Sequence, residues 1–201
     1  MALFPSDPAH AVRAGIAMLR EVKNYNARQP ESSPQLSIGI GIHVGKVIMG
    51  TVGEELRFEV TVISDTVNLT ARLESLTKQL GCSMLISQDV ANELTQEEIA
   101  HTRWVGTFIV KGKSSPVDLV EVFAADEEAL REHKAGTQQQ LQQAIECYRA
   151  GDLEGALGGV AAIVTRNAAD GVASWWRERV TRELKSALGP GRREHVYLDE
   201  K

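Results

Sequence analysis

The chain has 201 residues, of which 43% are hydrophobic and 24% charged, a composition typical of a globular protein. It has no stretch of about 18 apolar residues, no charged and apolar leader, and two cysteines, Cys82 and Cys147. The sequence therefore predicts no membrane-spanning helix, no secretory signal and no disulfide framework. The net charge of -5, with no basic stripe to offset it, argues against a nucleic-acid partner.

Helical and strand patterns alternate in the first part of the chain. A polar capping residue before Pro8, followed by apolar residues at helical spacing, predicts a helix over about 8–28. Residues 36–43 alternate between apolar side chains on one face and Ser37, Gly39, Gly41 and His43 on the other. This predicts a strand whose glycine face lies against a packed helix or a ligand. Residues 50–56 are predicted to form a loop. The other predicted strands are 47–49, 57–63, 83–86, 104–110 and 117–123.

One predicted helix carries the side chains that are best suited to bind a ligand. Leucines at helical spacing predict a helix over 65–80 that ends at Gly81. Asn68 and Arg72 lie four residues apart, so they share a face distinct from the leucine stripe. An amide beside a guanidinium suits a ribose ring and a phosphate. The plainer alternative is a solvated helix face on which Arg72 pairs with a nearby carboxylate.

Beyond Ala124 the pattern becomes helical and no strand is predicted. This change of periodicity places a boundary between residues 1–124 and residues 125–201. The residues from 189 onward are rich in glycine, proline and polar side chains, and we expect them to be loosely held. The predicted helices of this second part are 127–149, 153–166 and 168–187.

Several segments of the first part resemble, in order and spacing, the class III nucleotidyl cyclases, the adenylate and guanylate cyclase family. They are 39–45 (GIGIHVG), 50–53 (GTVG), 61–72 (TVISDTVNLTAR), 85–87 (LIS) and 110–113 (VKGK). The resemblance covers residues 1–123 and implies an α+β, ferredoxin-like fold, here the C-terminal portion of the catalytic domain followed by an α-helical tail. Ser64 stands where many relatives have glycine, and serine keeps that position small.

The resemblance also implies roles for individual residues. In this family ATP lies at the interface of two cyclase domains, and its 3′-hydroxyl attacks the α-phosphate to give 3′,5′-cyclic AMP and pyrophosphate. Asn68 would orient the ribose, and Arg72 would stabilise charge on the α-phosphoryl group. Lys111 would hold the β- and γ-phosphates, and Thr61 would read the purine edge, which favours ATP over GTP. The plainer alternatives are an ordinary strand residue for Thr61 and a turn lysine for Lys111.

The family's reaction further implies Mg²⁺ or Mn²⁺ held by two aspartates. Residues 1–5 resemble the segment that follows the second of these aspartates, so we expect both upstream of Met1 and no metal ligand within the chain. Asp7 reads as a helix cap, and Asp65 lies at the start of the helix that carries Asn68. We therefore expect a sheet with an uncovered edge and an uncovered apolar face, and a chain that dimerises, swaps elements or aggregates unless the missing part is supplied. The family's site between two domains favours a homodimer.

The helical tail carries a second, partial resemblance. Residues 144–157 resemble one tetratricopeptide helical pair, with small residues at matching positions. One such repeat cannot bury its apolar face alone, so we expect it to pack on the cyclase domain, on the dimer mate or on another protein. For Trp175 and Trp176, core packing is favoured over a partner-binding role.

Two hypotheses follow for the function. In the first, the chain belongs to a bacterial adenylate cyclase that makes cyclic AMP from ATP in signal transduction, in the cytoplasm or as the cytoplasmic part of a membrane-anchored sensor. In the second, it is a non-catalytic nucleotide-binding or dimerisation fragment with a protein-interaction tail. The expected upstream position of the two aspartates leaves the activity of this chain alone open.

Overall fold

The structure is a computed structural model that describes residues 1–54, 57–110, 115–186 and 195–198. Its helices are α1 (Pro8–Ala27), α2 (Asp65–Leu80), α3 (Gln88–Ala91), α4 (Gln96–Ile99), α5 (Glu128–Ala150), α6 (Leu153–Arg166) and α7 (Gly171–Lys185). Its strands are β1 (Ile40–Ile42), β2 (Ile48–Glu54), β3 (Arg57–Ile63), β4 (Met84–Ser87), β5 (Thr102–Val110), β6 (Val117–Val122) and β7 (Val196–Leu198). The α+β class and the helical tail are as predicted. No helix among these residues is both long and apolar enough to cross a membrane.

Five strands form one mixed sheet in the order β1-β4-β6-β5-β7. β1 runs parallel to β4 and β7 parallel to β5, whereas β6 is antiparallel to both of its neighbours. β2 and β3 form a separate antiparallel hairpin. β1 is an edge strand of the described sheet, in agreement with the expected open edge.

Three strand predictions are corrected by the structure. The loop predicted over 50–56 is wrong, because β2 continues to Glu54 and pairs along its whole length with β3. The strand predicted over 36–43 is too long, because only its residues Ile40–Ile42 form β1, and these three residues pair with β4. β7 lies in the segment expected to be loose, where it pairs with the edge of β5. In each case the pairing partner decides the extent of the strand more than its own sequence does.

One face of the sheet packs against α1. Met84 and Ile86 of β4 point to this side, and both are fully buried together with Val12 of α1. Val120 and Val122 of β6 belong to the same cluster. The alternation of side chains along β4 and β6 therefore supplies this core.

The opposite face packs against α2 and the helical tail. Leu85 and Leu119 of the sheet lie in one apolar cluster with the leucines of α2 and with Trp176 of α7. Trp176 is 1% exposed, and its ring centroid lies 5.0 Å from that of Tyr148 in α5, which confirms core packing for this tryptophan. The expectation of an uncovered apolar face is wrong for β4 and β6, because the tail itself supplies the cover.

Candidate functional site

α2 begins at a capped junction directly after β3. The Ser64 hydroxyl accepts a hydrogen bond from the Thr66 backbone N–H at 3.1 Å and donates one to the Lys46 carbonyl at 2.7 Å. The helix ends at Gly81, whose φ of 65° is the left-handed conformation that favours glycine. Ser64 thus fixes the first turn of α2 and joins it to the loop between β1 and β2.

The inner face of α2 lies directly on β1. Besides its leucine stripe, the helix approaches the backbone of Gly41 so closely that a Cβ there would lie 2.6 Å from the Thr70 carbonyl oxygen and 2.9 Å from the Leu73 carbonyl carbon. A Cβ on Gly39 would collide with the Thr77 hydroxyl. The glycine face of this strand therefore accommodates a packed helix, one of the two alternatives that the sequence left open.

Asn68 and Arg72 lie one helical turn apart on α2, outside its leucine stripe. Asn68 is exposed and Arg72 is half-buried. Neither side chain has a hydrogen-bond or ion-pair partner among the residues that the structure describes, so the alternative of an Arg72–carboxylate pair finds no partner there. The amide and the guanidinium remain available to a ligand with hydroxyl and anionic oxygen groups.

The side chains of the two other predicted site residues, Thr61 and Lys111, lie outside what the structure describes. Thr61 lies on β3 opposite Gly50 of β2, and only its backbone is described. Lys111 lies outside the described residues, in the connection between β5 and β6. Of the four predicted site residues, the structure therefore brings Asn68 and Arg72 together.

The described residues do not fit a metal centre. None of their histidine, cysteine, aspartate and glutamate side chains form a group of three or more that could hold a metal ion. Asp7 accepts a hydrogen bond from the Ala9 backbone N–H at 2.8 Å and caps α1, as predicted. Asp65 lies in the first turn of α2. We therefore derive no step through a metal bound by these residues.

Sequence reasoning missed a buried cluster of charges between the sheet and the tail. The Arg103 guanidinium donates to Glu121 at 2.6 Å and to both carboxylate oxygens of Asp170 at 2.8 and 2.6 Å. The Lys134 ammonium donates to Glu121 at 2.6 Å and to Asp126 at 2.5 Å. Arg103 and Glu121 face each other across β5 and β6, and this charged pair inside two apolar strands is the sequence feature that could have revealed the cluster.

The ion pairs of the cluster raise the pKa of its lysine and lower the pKa of Asp170, so both shifts favour the charged forms. Burial alone would lower the pKa of Lys134, but the carboxylates of Glu121 and Asp126 outweigh burial and raise it. Burial would raise the pKa of Asp170, but the hydrogen bonds and charge of Arg103, the Ala173 N–H and the charge of Lys134 together outweigh burial and lower it. Both groups are therefore held in their charged forms at neutral pH. Burial lowers the pKa of His133, whose Nε2 lies 3.5 Å from Asp170.

Comparisons with known proteins agree on the first part of the chain. A family described as the adenylate and guanylate cyclase catalytic domain matches residues 5–124. An adenylate cyclase of Anabaena cylindrica is 39% identical over 131 residues, which are 62% of this chain and 26% of that protein. Adenylate cyclase 1 of Rhizobium meliloti is 33% identical over 129 residues, covering 64% of this chain and 19% of that protein.

Solved structures give the same result. A bacterial light-regulated adenylyl cyclase is 25% identical, with a TM-score of 0.51 over 60% of this chain and 35% of that one. The guanylyl cyclase Cya2 is 27% identical, with a TM-score of 0.50 over 62% of each chain. The chain spans about a quarter or less of the length of the two curated relatives above. Because the family match covers more than half of the sequence, the chain belongs to the adenylate and guanylate cyclase catalytic-domain family.

Proposed function

We propose that this chain supplies the ribose- and phosphate-binding side of an adenylate cyclase site, which converts ATP to 3′,5′-cyclic AMP and pyrophosphate. The observation that carries the proposal is the pair Asn68 and Arg72. They lie one turn apart on α2, without partners among the described residues, while the opposite face of the helix is fixed on the sheet. The adenylate cyclases among the matched relatives favour ATP as the nucleotide.

The chemistry assigns each of these side chains a step. The ribose 3′-oxygen forms a bond to the α-phosphorus, the bond from that phosphorus to the bridging oxygen breaks, and pyrophosphate leaves. The 3′-hydroxyl proton passes to solvent water as the ring closes. Asn68 would hold the ribose so that the 3′-oxygen faces the phosphorus. Arg72 would donate hydrogen bonds to the α-phosphoryl oxygens, where negative charge increases in the transition state.

Thr61 and Lys111 complete the proposed site. Thr61, which precedes Asn68 by seven residues and lies on the strand that leads into α2, would read the purine edge. Lys111 would bind the β- and γ-phosphates. Both roles rest on the resemblance of their sequence segments to the cyclase family.

We further propose that the complete site needs a second cyclase domain. A homodimer would place ATP between two chains, as in the family. The reaction's Mg²⁺ or Mn²⁺ would then be bound by carboxylates other than those described here. Since its substrate would be ATP, we place the site on the cytoplasmic side.

We propose that the chain has two parts. Residues 1–124 are the cyclase part, and residues 125–201 are an additional helical part in which α5 and α6 form the tetratricopeptide-like pair.

The alternative function, a non-catalytic nucleotide-binding fragment with a protein-interaction tail, is favoured by one observation. The described residues contain no group of side chains that fits a metal ion.

A paired assay of the full chain tests both functions. Binding of a fluorescent ATP analogue and formation of cyclic AMP with Mn²⁺ are measured for the wild type, Asn68→Ala, Arg72→Ala and the control Lys78→Ala, an exposed residue in the last turn of α2. Turnover is measured with an added upstream cyclase segment that supplies the two expected aspartates. Under these conditions we expect Arg72→Ala to lower turnover by about 10²- to 10³-fold, and Lys78→Ala to leave it unchanged. Binding that depends on Arg72 without any turnover would support the alternative, and binding or turnover indifferent to Arg72 would contradict both.

A further inference from the structure

We propose that α7, the last of the C-terminal helices, braces α2, and that Asp170 and Gly171 are positioning residues for Asn68 and Arg72. The nucleotide-related part of this inference rests on the proposed function. The brace itself rests on contacts between α2, α7 and β5. The helices α5–α7 lie outside the residues matched by the cyclase family, so the family match does not account for these contacts.

Gly81, the C-cap residue of α2, lies directly against Gly171, the first residue of α7. A Cβ on Gly171 would collide with the Gly81 carbonyl, and a Cβ on Gly81 would lie 2.9 Å from the Gly171 Cα. The two backbones therefore meet with no side chain between them. Any side chain at residue 171 must push α2 and α7 apart at this point.

The N-terminal turn of α7 is itself anchored to the sheet. Asp170 accepts a hydrogen bond from the Ala173 backbone N–H at 3.1 Å and binds Arg103 of β5 through both carboxylate oxygens. Trp176 donates from its indole Nε1 to the Val105 carbonyl of β5 at 2.9 Å. Movement of α7 away from β5 would separate a buried ion pair and leave both charges without their partners, which is strongly unfavourable. Gly171 is therefore a fixed point for α2.

A fixed end sets the direction of the whole of α2. The helix has 16 residues and behaves as a stiff rod of about 24 Å. Its leucines Leu76 and Leu80 share one apolar cluster with Val172 and Trp176 of α7, so the contact continues beyond the two glycines. A tilt at Gly81 would shift the groups at the other end. A misplacement of about 1 Å can cost about 100-fold in rate at a reacting centre.

The test compares two glycine-to-alanine variants of the full chain. Gly171→Ala adds a methyl group at the contact with Gly81. Gly158→Ala adds a methyl group to α6 and serves as the matched control. Within 4 Å the added Cβ would meet no described atom beyond its chain neighbours and the adjacent backbone of α6. Hydrogen exchange of the α2 amides and binding of a fluorescent ATP analogue are measured at a temperature where circular dichroism shows all variants folded. Asp170→Asn, which keeps a capping oxygen but weakens the pair with Arg103, provides a second, milder perturbation.

We expect Gly171→Ala to accelerate amide exchange in the last two turns of α2 and to weaken nucleotide binding several-fold, with smaller effects in the same direction for Asp170→Asn. Gly158→Ala should match the wild type in both measurements. A lower melting temperature with unchanged exchange in α2 would show a merely structural role and overturn the brace. Faster α2 exchange with unchanged nucleotide affinity would overturn the positioning role. Absence of any nucleotide binding by the wild type would refute the proposed function, while the exchange data would still decide the brace.

Discussion

Both carboxylate oxygens of Asp170 accept hydrogen bonds from the guanidinium of Arg103, at 2.6 and 2.8 Å, although the two residues lie 67 positions apart in the chain. Arg103 belongs to a strand of the family-matched part, and Asp170 caps a helix of the tail. Both side chains are 0% exposed. The pair therefore joins the two parts of the chain inside one core.

We predict that Asp170→Ala lowers the free energy of unfolding by about 3–5 kcal/mol, because it leaves the Arg103 charge buried with one carboxylate partner fewer. Asp152→Ala is the matched control. Asp152 also caps a tail helix, accepting from the Gly155 backbone N–H at 2.9 Å, but it is exposed. Its loss should cost about 1 kcal/mol. Urea denaturation measures both, and equal losses would contradict an energetic role for the buried pair.

A second prediction concerns the pH dependence of stability. Burial lowers the pKa of His133 below its ordinary value of 6.5, against the attraction of Asp170 and together with the repulsion of Arg103, Arg166 and Lys134. The unfolded chain therefore takes up the proton first, and stability falls as the pH drops from about 7 to about 5. Asp170, whose pKa is lowered from 3.8, adds a further loss below about pH 4.

Urea unfolding across this range separates the two contributions. His133→Gln should flatten the dependence between about pH 7 and 5 and leave the steep loss below about pH 4. An unchanged slope near neutrality in this variant would show that another group takes up the proton.

The helices could be predicted closely because their ends carry local chemistry. The bounds of α2 follow from its leucine spacing and from Gly81, and the predicted range of 65–80 is confirmed. β7 could not be predicted, because the three residues Val196–Leu198 form a strand only beside the distant β5. For the same reason, the sequence predicts a loop at the last five residues of β2, which form a strand only through their pairing with β3.

The candidate site was predictable to the extent that it is local. The four-residue spacing of Asn68 and Arg72 placed them on one helix face, and the structure agrees. The roles of Thr61 and Lys111 stay predictions. The charge cluster around Arg103 could be predicted only in part. Arg103 and Glu121 stand out as charges inside two apolar strands, but Asp170 and Lys134 come from the tail, whose position on the sheet does not follow from the sequence.

The cap at Ser64 supports a third prediction. Ser64→Ala removes the acceptor for the Thr66 N–H and the donor to the Lys46 carbonyl, and should cost about 1 kcal/mol. Ser64→Gly should cost only a few tenths of a kcal/mol, because glycine is tolerated at helix N-caps. Thermal unfolding followed by circular dichroism measures both. Ser75→Ala, an exposed serine inside the same helix, is the control and should be neutral. A loss from Ser64→Gly as large as that from Ser64→Ala would argue against capping as the cause.

The contact between α2 and β1 supports the last prediction. Gly41→Ala places a methyl group against the α2 backbone at Thr70 and Leu73, which cannot move without separating the helix from the sheet. We expect a loss of about 1–3 kcal/mol in the free energy of unfolding, together with weaker nucleotide binding if Asn68 and Arg72 shift with the helix. Gly50→Ala makes the same chemical change in β2, where the added Cβ would meet no described atom beyond its chain neighbours within 4 Å. Its free energy of unfolding should stay within about 0.5 kcal/mol of the wild type. Urea denaturation and titration with a fluorescent ATP analogue report the two effects separately. A Gly41→Ala variant as stable as Gly50→Ala would mean that α2 does not lie against β1 as closely as this packing requires.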